Sequence, residues 1–247
     1  MRLIVVSGSG TESGKTITTA AIAACAMSSG QQVAIVKPLQ TGVRNGEAGD
    51  ARVVAELTGL TDVHELFSFA EPLAPGTAAR RQGLPGPSLA ELSDLILALG
   101  DRDLVIVEGA GGALVHLNAQ GETILDLASE LRSRLAGIAS VEVLLTASSG
   151  LGTLHSTGAT ALAVRASGLD VDHLVIADWP LAEPDLAQRS NLQDLPRYAL
   201  APISGVLPLG MGALNQAEFE RKSQAGLAPA LGGVFDTAEF VRLASRP

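Results

Sequence analysis

The sequence predicts a three-layer α/β fold with a mainly parallel central sheet. Two observations carry this. Short runs of apolar residues alternate with longer stretches of helical character, and most of the runs are apolar at every position rather than at every second one. That is the pattern of strands covered by helices on both faces. The composition agrees: 47% of the residues are hydrophobic but only 3% are aromatic, and there are 27 glycines. The core is therefore built from Ala, Val, Leu and Ile packed closely in layers. At 247 residues, one domain spanning 1–247 is the simplest expectation.

Taken in order, Leu3–Val6 is the first strand, and the helix Lys15–Ser29 follows it. Val33–Val36 is the second strand, and Asp50 is placed to cap the helix Asp50–Leu57. Ala70–Ser88 is rich in proline, glycine and alanine and reads as a long surface excursion. The helix Leu89–Leu99 then leads into the strand Leu104–Val107. Helices Thr123–Leu135, Leu154–Ala166 and Glu183–Leu192 alternate with strands Val141–Thr146 and Leu174–Ala177. Ile203–Leu207 is a fainter strand pattern, and the tail after Gly212 shows only the start of a short helix at Glu218–Lys222.

Bulk properties exclude several function classes. A formal charge of −9, from 26 acidic and 17 basic residues, repels a phosphate backbone, and Arg80-Arg81 stands nearly alone as a basic pair. No nucleic-acid partner is expected. The opening apolar run stops at Ser7-Gly8, short of the roughly 7–15 residues of an export signal. No stretch reaches the ~18 apolar residues of a membrane span. A soluble, cytoplasmic protein is expected. The lone Cys25 lies in the small-residue run Ala20–Met27, excludes an internal disulfide, and reads as a core residue on a helix.

Parallel sheets gather ligands at the carboxyl ends of their strands. The loops there are Ser7–Gly14, Lys37–Gly49, Glu108–Gly112, Ala147–Thr153, Asp178–Pro180 and Pro208–Gly212. The first runs Gly8-Ser9-Gly10-Thr11-Glu12-Ser13-Gly14-Lys15-Thr16 between a strand and a helix. Backbone N–H groups in such a loop cradle phosphates, Lys15 reaches the β- and γ-phosphates, and the Thr16 hydroxyl is placed for Mg²⁺. Five residues separate Gly8 from Gly14, so the spacing departs from the common pattern. The context of strand, Gly-Lys-Thr and helix makes the fold P-loop NTPase-like.

Two further loops supply the rest of such a site. Leu104–Val107 ends on Glu108, a carboxylate at a strand terminus that suits Mg²⁺, although a solvated strand end would look the same. Asp50 is the second candidate carboxylate, a role compatible with capping its helix. Lys37 follows an all-apolar strand and precedes Pro38, and Thr41 is close behind it. Lys15 and Lys37 could together flank one transferring phosphoryl group, with a surface lysine as the plainer alternative for Lys37.

Several motifs now converge. Thr11-Glu12-x-Gly14-Lys15-Thr16, Lys37-Pro38-x-x-Thr41-Gly42, Val107-Glu108-Gly109-Ala110-Gly111-Gly112 and Gly150-Leu151-Gly152-Thr153 stand in the order seen in dethiobiotin synthetases. Phe69-Ala70-Glu71-Pro72 and the long gap before Gly14 are similar too, so the sequence resembles that family over roughly residues 1–210. The resemblance implies an ATP- and Mg²⁺-dependent closure of the cyclic urea of dethiobiotin from 7,8-diaminopelargonic acid and CO₂ or bicarbonate. It implies that Lys37 and Thr41 hold a carbamate and that Thr11 and Glu12 line the diamine pocket. Lys15 would meet the γ-phosphate, within a nucleotide loop of Gly10, Thr11, Glu12, Ser13 and Gly14, and Thr16, Asp50 and Glu108 would hold Mg²⁺. Gly109, Gly111 and Gly112 would let the backbone approach the ligand.

The resemblance also implies a homodimer, with the loop carrying Gly152, Thr153 and His155 donated across the interface to the substrate carboxylate. His155 stands where the family has asparagine. Pro208, Leu209 and Gly210 would line the base pocket. Ala177-Asp178-Trp179-Pro180 replaces an Asn-Asp pair whose asparagine reads adenine, so Asp178 leaves CTP or a relaxed base preference open. A partition or switch ATPase is the leading rival, but it carries an extra lysine where this loop has Ser9-Gly10-Thr11. An amidotransferase-type synthetase would need a glutaminase domain and a nucleophilic cysteine. A dead nucleotide-binding module sits poorly with Lys15, Thr16, Lys37 and Glu108 all in place.

Overall fold

A computed structural model describes residues 1–43 and 48–244. Part of the expected loop Lys37–Gly49 therefore lies outside the described residues. The chain runs β1 (Arg2–Gly8), α1 (Lys15–Ser28), β2 (Val33–Thr41), α2 (Asp50–Thr58), β3 (Val63–Phe69), α3 (Pro75–Arg81) and α4 (Leu89–Leu97). It continues through β4 (Leu104–Glu108), α5 (Ile124–Arg134), β5 (Ser140–Ala147), α6 (Thr153–Ala166), β6 (His173–Trp179) and α7 (Leu186–Ala199). β7 (Ile203–Pro208), α8 (Gln216–Gly226) and α9 (Thr237–Ala244) complete it.

The seven strands form one sheet in the order β3-β2-β4-β1-β5-β6-β7, and every pairing is parallel. Side chains of β1 alternate between two cores, as the period of two in a strand requires. Leu3 and Val5 face the layer of α4, α5, α6 and α7, where Leu92, Leu127, Val164 and Leu192 are buried. Ile4 and Val6 face α1, α2 and α8, where Ile22, Val54 and Phe219 are buried. β1 is the switch point: the chain first builds the β2 side, then returns through β4 and builds the β5 side. The crevice at the carboxyl end of β1 is thereby fixed as the ligand position.

The six expected strands are all present, and the structure adds β3. Its sequence, Val-His-Glu-Leu-Phe-Ser-Phe, mixes polar and apolar residues because β3 is an edge strand paired only with β2. β2 runs on to Thr41, five residues past the expected end, and passes through Pro38. Pairing with β4 stops at Val36, so the N–H that proline lacks removes no bond on that side. The excursion Ala70–Ser88 contains α3, which starts on Pro75 and buries Ala78 and Ala79. The tail is also more ordered than its pattern suggested: Asn215 caps α8, and Phe240 of α9 meets Trp179 edge to face, with centroids 5.5 Å apart.

Cys25 lies on α1, fully buried against the sheet, and burial, with a contribution from Glu220, pushes its thiol up to about 12. It is a packing residue, unreactive at neutral pH. No helix among the described residues is long and apolar enough to cross a membrane.

The end of the sheet remote from the crevice is tied by charge. Arg2 donates to both carboxylate oxygens of Glu142, and His173 bridges Glu142 at 2.9 Å and Ser204 at 2.9 Å, linking β1, β5, β6 and β7. Burial alone would raise the Glu142 carboxyl, but the bonds from Arg2 and His173 outweigh it and hold the group below the usual range. A depressed carboxyl stabilises the fold above its unfolded value of about 4.3 and loses that contribution as pH falls through the folded value. Glu142→Gln is therefore expected to lower unfolding free energy by about 1–3 kcal/mol near neutral pH. The difference from wild type should shrink when denaturant melts are repeated at about pH 3.

Candidate active site

β1 delivers the chain into the phosphate loop, and its neighbours pin that loop from the side. The Ser9 N–H donates to the Thr146 carbonyl of β5 at 3.1 Å, and the Ser13 and Thr146 hydroxyls meet at 2.8 Å. Ser13 also bonds the Gly10 carbonyl at 3.0 Å. Glu12 holds a left-handed backbone at φ 59°, a conformation that costs a non-glycine residue on the order of 1 kcal/mol. Gly14 follows at φ 82°, and a Cβ there would lie 2.3 Å from the Ala177 Cβ of β6. The loop before Gly14 thus carries two left-handed residues, Glu12 and Gly14, and is braced against β5 and β6.

Lys15 opens α1 and bends back so that Nζ donates to the Gly10 carbonyl at 2.9 Å. Burial lowers its pKa, Lys37 lowers it further, and Glu108 and Asp50 only partly offset the effect. Thr16 donates its hydroxyl proton to Glu108 Oε1 at 2.8 Å. Glu108 also accepts from Lys37 Nζ at 2.9 Å, and the same ammonium donates to the Gly109 carbonyl at 2.9 Å and pairs with Asp50 at 2.5 Å. Lys37 is 2% exposed and Glu108 1%, whereas Asp50 is 37% exposed at the mouth. Burial would discharge Lys37, but the two carboxylates outweigh it and raise its pKa, so the ammonium keeps its charge across the neutral range.

These residues surround a cavity of about 370 Å³. Thr11, Glu12, Gly14, Lys15, Thr16, Lys37, Thr41, Asp50 and Gly111 all line it, as expected from four separate segments of sequence. Gly10 and Ser13 support its floor, and Glu108 lies buried beneath it. Gly112 packs against Gly10, and Gly109 hydrogen-bonds the Val6 carbonyl, which keeps the loop after β4 against the phosphate loop. Ile17, Gln40 and Ala110 also line the cavity. Ala110 belongs to the glycine motif after β4, whereas Ile17 and Gln40 carry no charge that would mark them in the sequence.

The remaining expected residues form two separate groups. Pro208 ends β7, and Leu209 and Gly210 follow it beside the end of β6, where the Leu209 N–H donates to the Trp179 carbonyl at 2.8 Å. Asp178 uses its carboxylate to accept the Ser149 N–H at 2.6 Å, and so anchors the loop after β5. Asn191 of α7 fixes the same loop through the carbonyls of Ser149 and Gly150. Gly152, Thr153 and His155 open α6 beyond this anchor and do not line the cavity of their own chain. The nearby Leu151 is 91% exposed.

Thr16, Glu108 and Asp50 present one hydroxyl and two carboxylates, all hard oxygen donors of the kind that suits Mg²⁺. The Lys37 ammonium already bridges the two carboxylates, so the position between them is one that selects a cation. No cluster of three or more His, Cys, Asp or Glu that could hold a metal exists among the described residues. Removing one member of a buried ion pair strands the other, at a cost of about 3–5 kcal/mol. Lys37→Met is expected to lower the urea midpoint accordingly in metal-free buffer, and added Mg²⁺ should restore part of the loss. Gly14→Ala should keep the fold but weaken nucleotide binding at least about tenfold in a calorimetric titration, because the loop must leave both its left-handed turn and Ala177.

The AAA domain family profile matches residues 2–212. An ATP-dependent dethiobiotin synthetase of Frankia casuarinae is 50% identical over 97% of this chain and 98% of its own length. One from a Parafrankia species is 47% identical over 98% of both chains. Among solved structures, a ParA family ATPase of Chlorobium tepidum superposes with a TM-score of 0.55 at 14% identity, over 90% of this chain and 89% of its own. The septum site-determining protein MinD of Pyrococcus horikoshii gives 0.54 at 17% identity, over 98% and 94%. These two share the fold, and the similarity to the synthetases spans nearly the whole of both chains: the chain belongs to the dethiobiotin synthetase family.

Proposed function

We propose that this protein is an ATP-dependent dethiobiotin synthetase, a ligase of biotin biosynthesis that closes the ureido ring of dethiobiotin. The observation that carries this reading is the pairing of Lys15 and Lys37 in one cavity with Thr41 and Glu12, on a chain about half identical to synthetases over nearly its whole length. A phosphate-binding loop serves many reactions. A second buried lysine on the facing strand, with a hydroxyl and an acid lining the same cavity, suits a small anion made beside the γ-phosphate.

The chemistry follows from charge and balance. One amine of 7,8-diaminopelargonic acid adds to CO₂ and loses a proton, giving a carbamate. A carbamate oxygen attacks the γ-phosphorus, and the nucleoside diphosphate leaves. The second amine then attacks the carbonyl carbon of this mixed anhydride, loses a proton, and expels phosphate as the cyclic urea closes. Lys37 and Thr41 hold the carbamate, while Lys15 offsets charge on the γ-phosphate. Glu12 and Thr11 receive the diamine, and the Glu12 carboxylate draws in its cationic form. Thr16, Asp50 and Glu108 hold Mg²⁺, which when bound neutralises charge on the β- and γ-phosphate oxygens. Positioning and fixed charges supply most of the acceleration in such a transfer.

The reading extends to the assembly. Residues 1–247 form one synthetase domain, acting in the cytoplasm on small molecules and on neither nucleic acid nor membrane. Two copies form a homodimer in which Gly152, Thr153 and His155 of one chain face the substrate carboxylate held by the other. The exposed but firmly anchored loop after β5 supports this, since it is shaped without serving its own cavity. Pro208, Leu209 and Gly210 border the base, and with the Asp178 carboxylate occupied by Ser149 the pocket accepts CTP as well as ATP.

Phosphate release from purified protein with Mg²⁺ tests this directly. Release should require both the diamine and bicarbonate, should proceed with ATP and with CTP, and should fall by about 10²–10³-fold in Lys37→Ala. Release indifferent to the diamine contradicts the synthetase reading and points to a switch ATPase.

A further inference from the structure

Gln40 takes no part in the chemistry above, yet it touches two residues that do. Its side chain is 6% exposed and lies in the cavity wall near the carboxyl end of β2. Oε1 accepts the backbone N–H of Asp50 at 2.9 Å, and Nε2 donates to the backbone carbonyl of Thr41 at 3.1 Å. One partner can only donate and the other can only accept, so the orientation of the amide is fixed by its neighbours.

The need for this contact lies in the start of α2. The first N–H groups of a helix lack partners within it, and an N-cap side chain usually supplies one. Here the N-cap is Gly49, which has no side chain to offer. A Cβ at Gly49 would lie 2.4 Å from Glu65 Oε2 and 3.2 Å from Gln40 Cδ, so no capping residue fits. β2 supplies the missing acceptor from outside the helix. A neutral amide suits the place: a carboxylate would face Asp50 and Glu65, and an ammonium would compete with Lys37 for Asp50.

We infer that Gln40 is a positioning residue that holds the first turn of α2 so that the Asp50 carboxylate points at the cation position. The inference rests on the metal role proposed for Asp50. Groups that orient a metal ligand from behind typically change metal affinity by about 10–100-fold when lost.

Mn²⁺ binding by electron paramagnetic resonance provides the test, on the full chain with a non-hydrolysable ATP analogue and no diamine. Gln40→Leu should weaken binding about tenfold. Asp50→Ala should weaken it further, and the double variant should bind no more weakly than Asp50→Ala alone, because Gln40 acts only through Asp50. Gln40→Met, which has nearly the length of glutamine but no acceptor, gives the same reading if the leucine variant folds poorly. Wild-type affinity in Gln40→Leu and Gln40→Met, with Asp50→Ala weakened, overturns the inference and leaves the Asp50 role standing, as does full additivity in the double variant. Wild-type affinity in Asp50→Ala removes both.

Discussion

One buried ammonium holds the site together. Lys37 stands at the middle of β2, between a carboxylate from β4 and a carboxylate from α2, almost wholly removed from water. Either sign of charge alone would be costly there, by several kcal/mol for each ion. Lys15 and Lys37 offset Asp50 and Glu108, and the exposed Glu12 is the one further charge lining the cavity among the described residues. That balance lets the fold carry the groups of a phosphoryl-transfer site before any ligand arrives.

The scaffold follows from the same constraint. Lys37 and Glu108 meet because β2 and β4 are neighbours, with Val36 opposite Val107 in the last pair of their ladder, one residue before Lys37 and Glu108. Glu108 reaches Thr16 because β4 also borders β1, which feeds the phosphate loop. A different strand order would scatter these residues. The pins from Thr146 and Ala177 then fix the loop height against β5 and β6. Fold alone does not choose a reaction. The choice lies in which side chains the strand ends carry, and here β2 carries a lysine, a glutamine and a threonine within five residues.

Much of this was legible in the sequence for a physical reason. Buried parallel strands must be apolar on both faces, so β1, β2, β4, β5 and β6 stand out, and a charged residue at their ends stands out further. β3 escaped notice because an edge strand is free to alternate, and α3 because alanine and glycine pack well but carry no pattern. Gln40 was invisible: a neutral amide whose role depends on a helix starting ten residues later leaves no spacing signal. Asp178 shows the opposite case. A carboxylate at a strand end reads as a ligand from sequence, and in the structure it first secures a neighbouring loop through Ser149.

The central claim is that a carbamate oxygen attacks the γ-phosphorus inside this cavity. Carbon dioxide labelled with heavy oxygen tests it most directly, through the mass of the phosphate released during turnover. The account predicts one labelled oxygen in each phosphate and one in the ureido carbonyl of the product, since the carbamate divides its two oxygens between them. Unlabelled phosphate would mean that water, not carbamate, takes the phosphoryl group, and would contradict the roles assigned to Lys37 and Thr41.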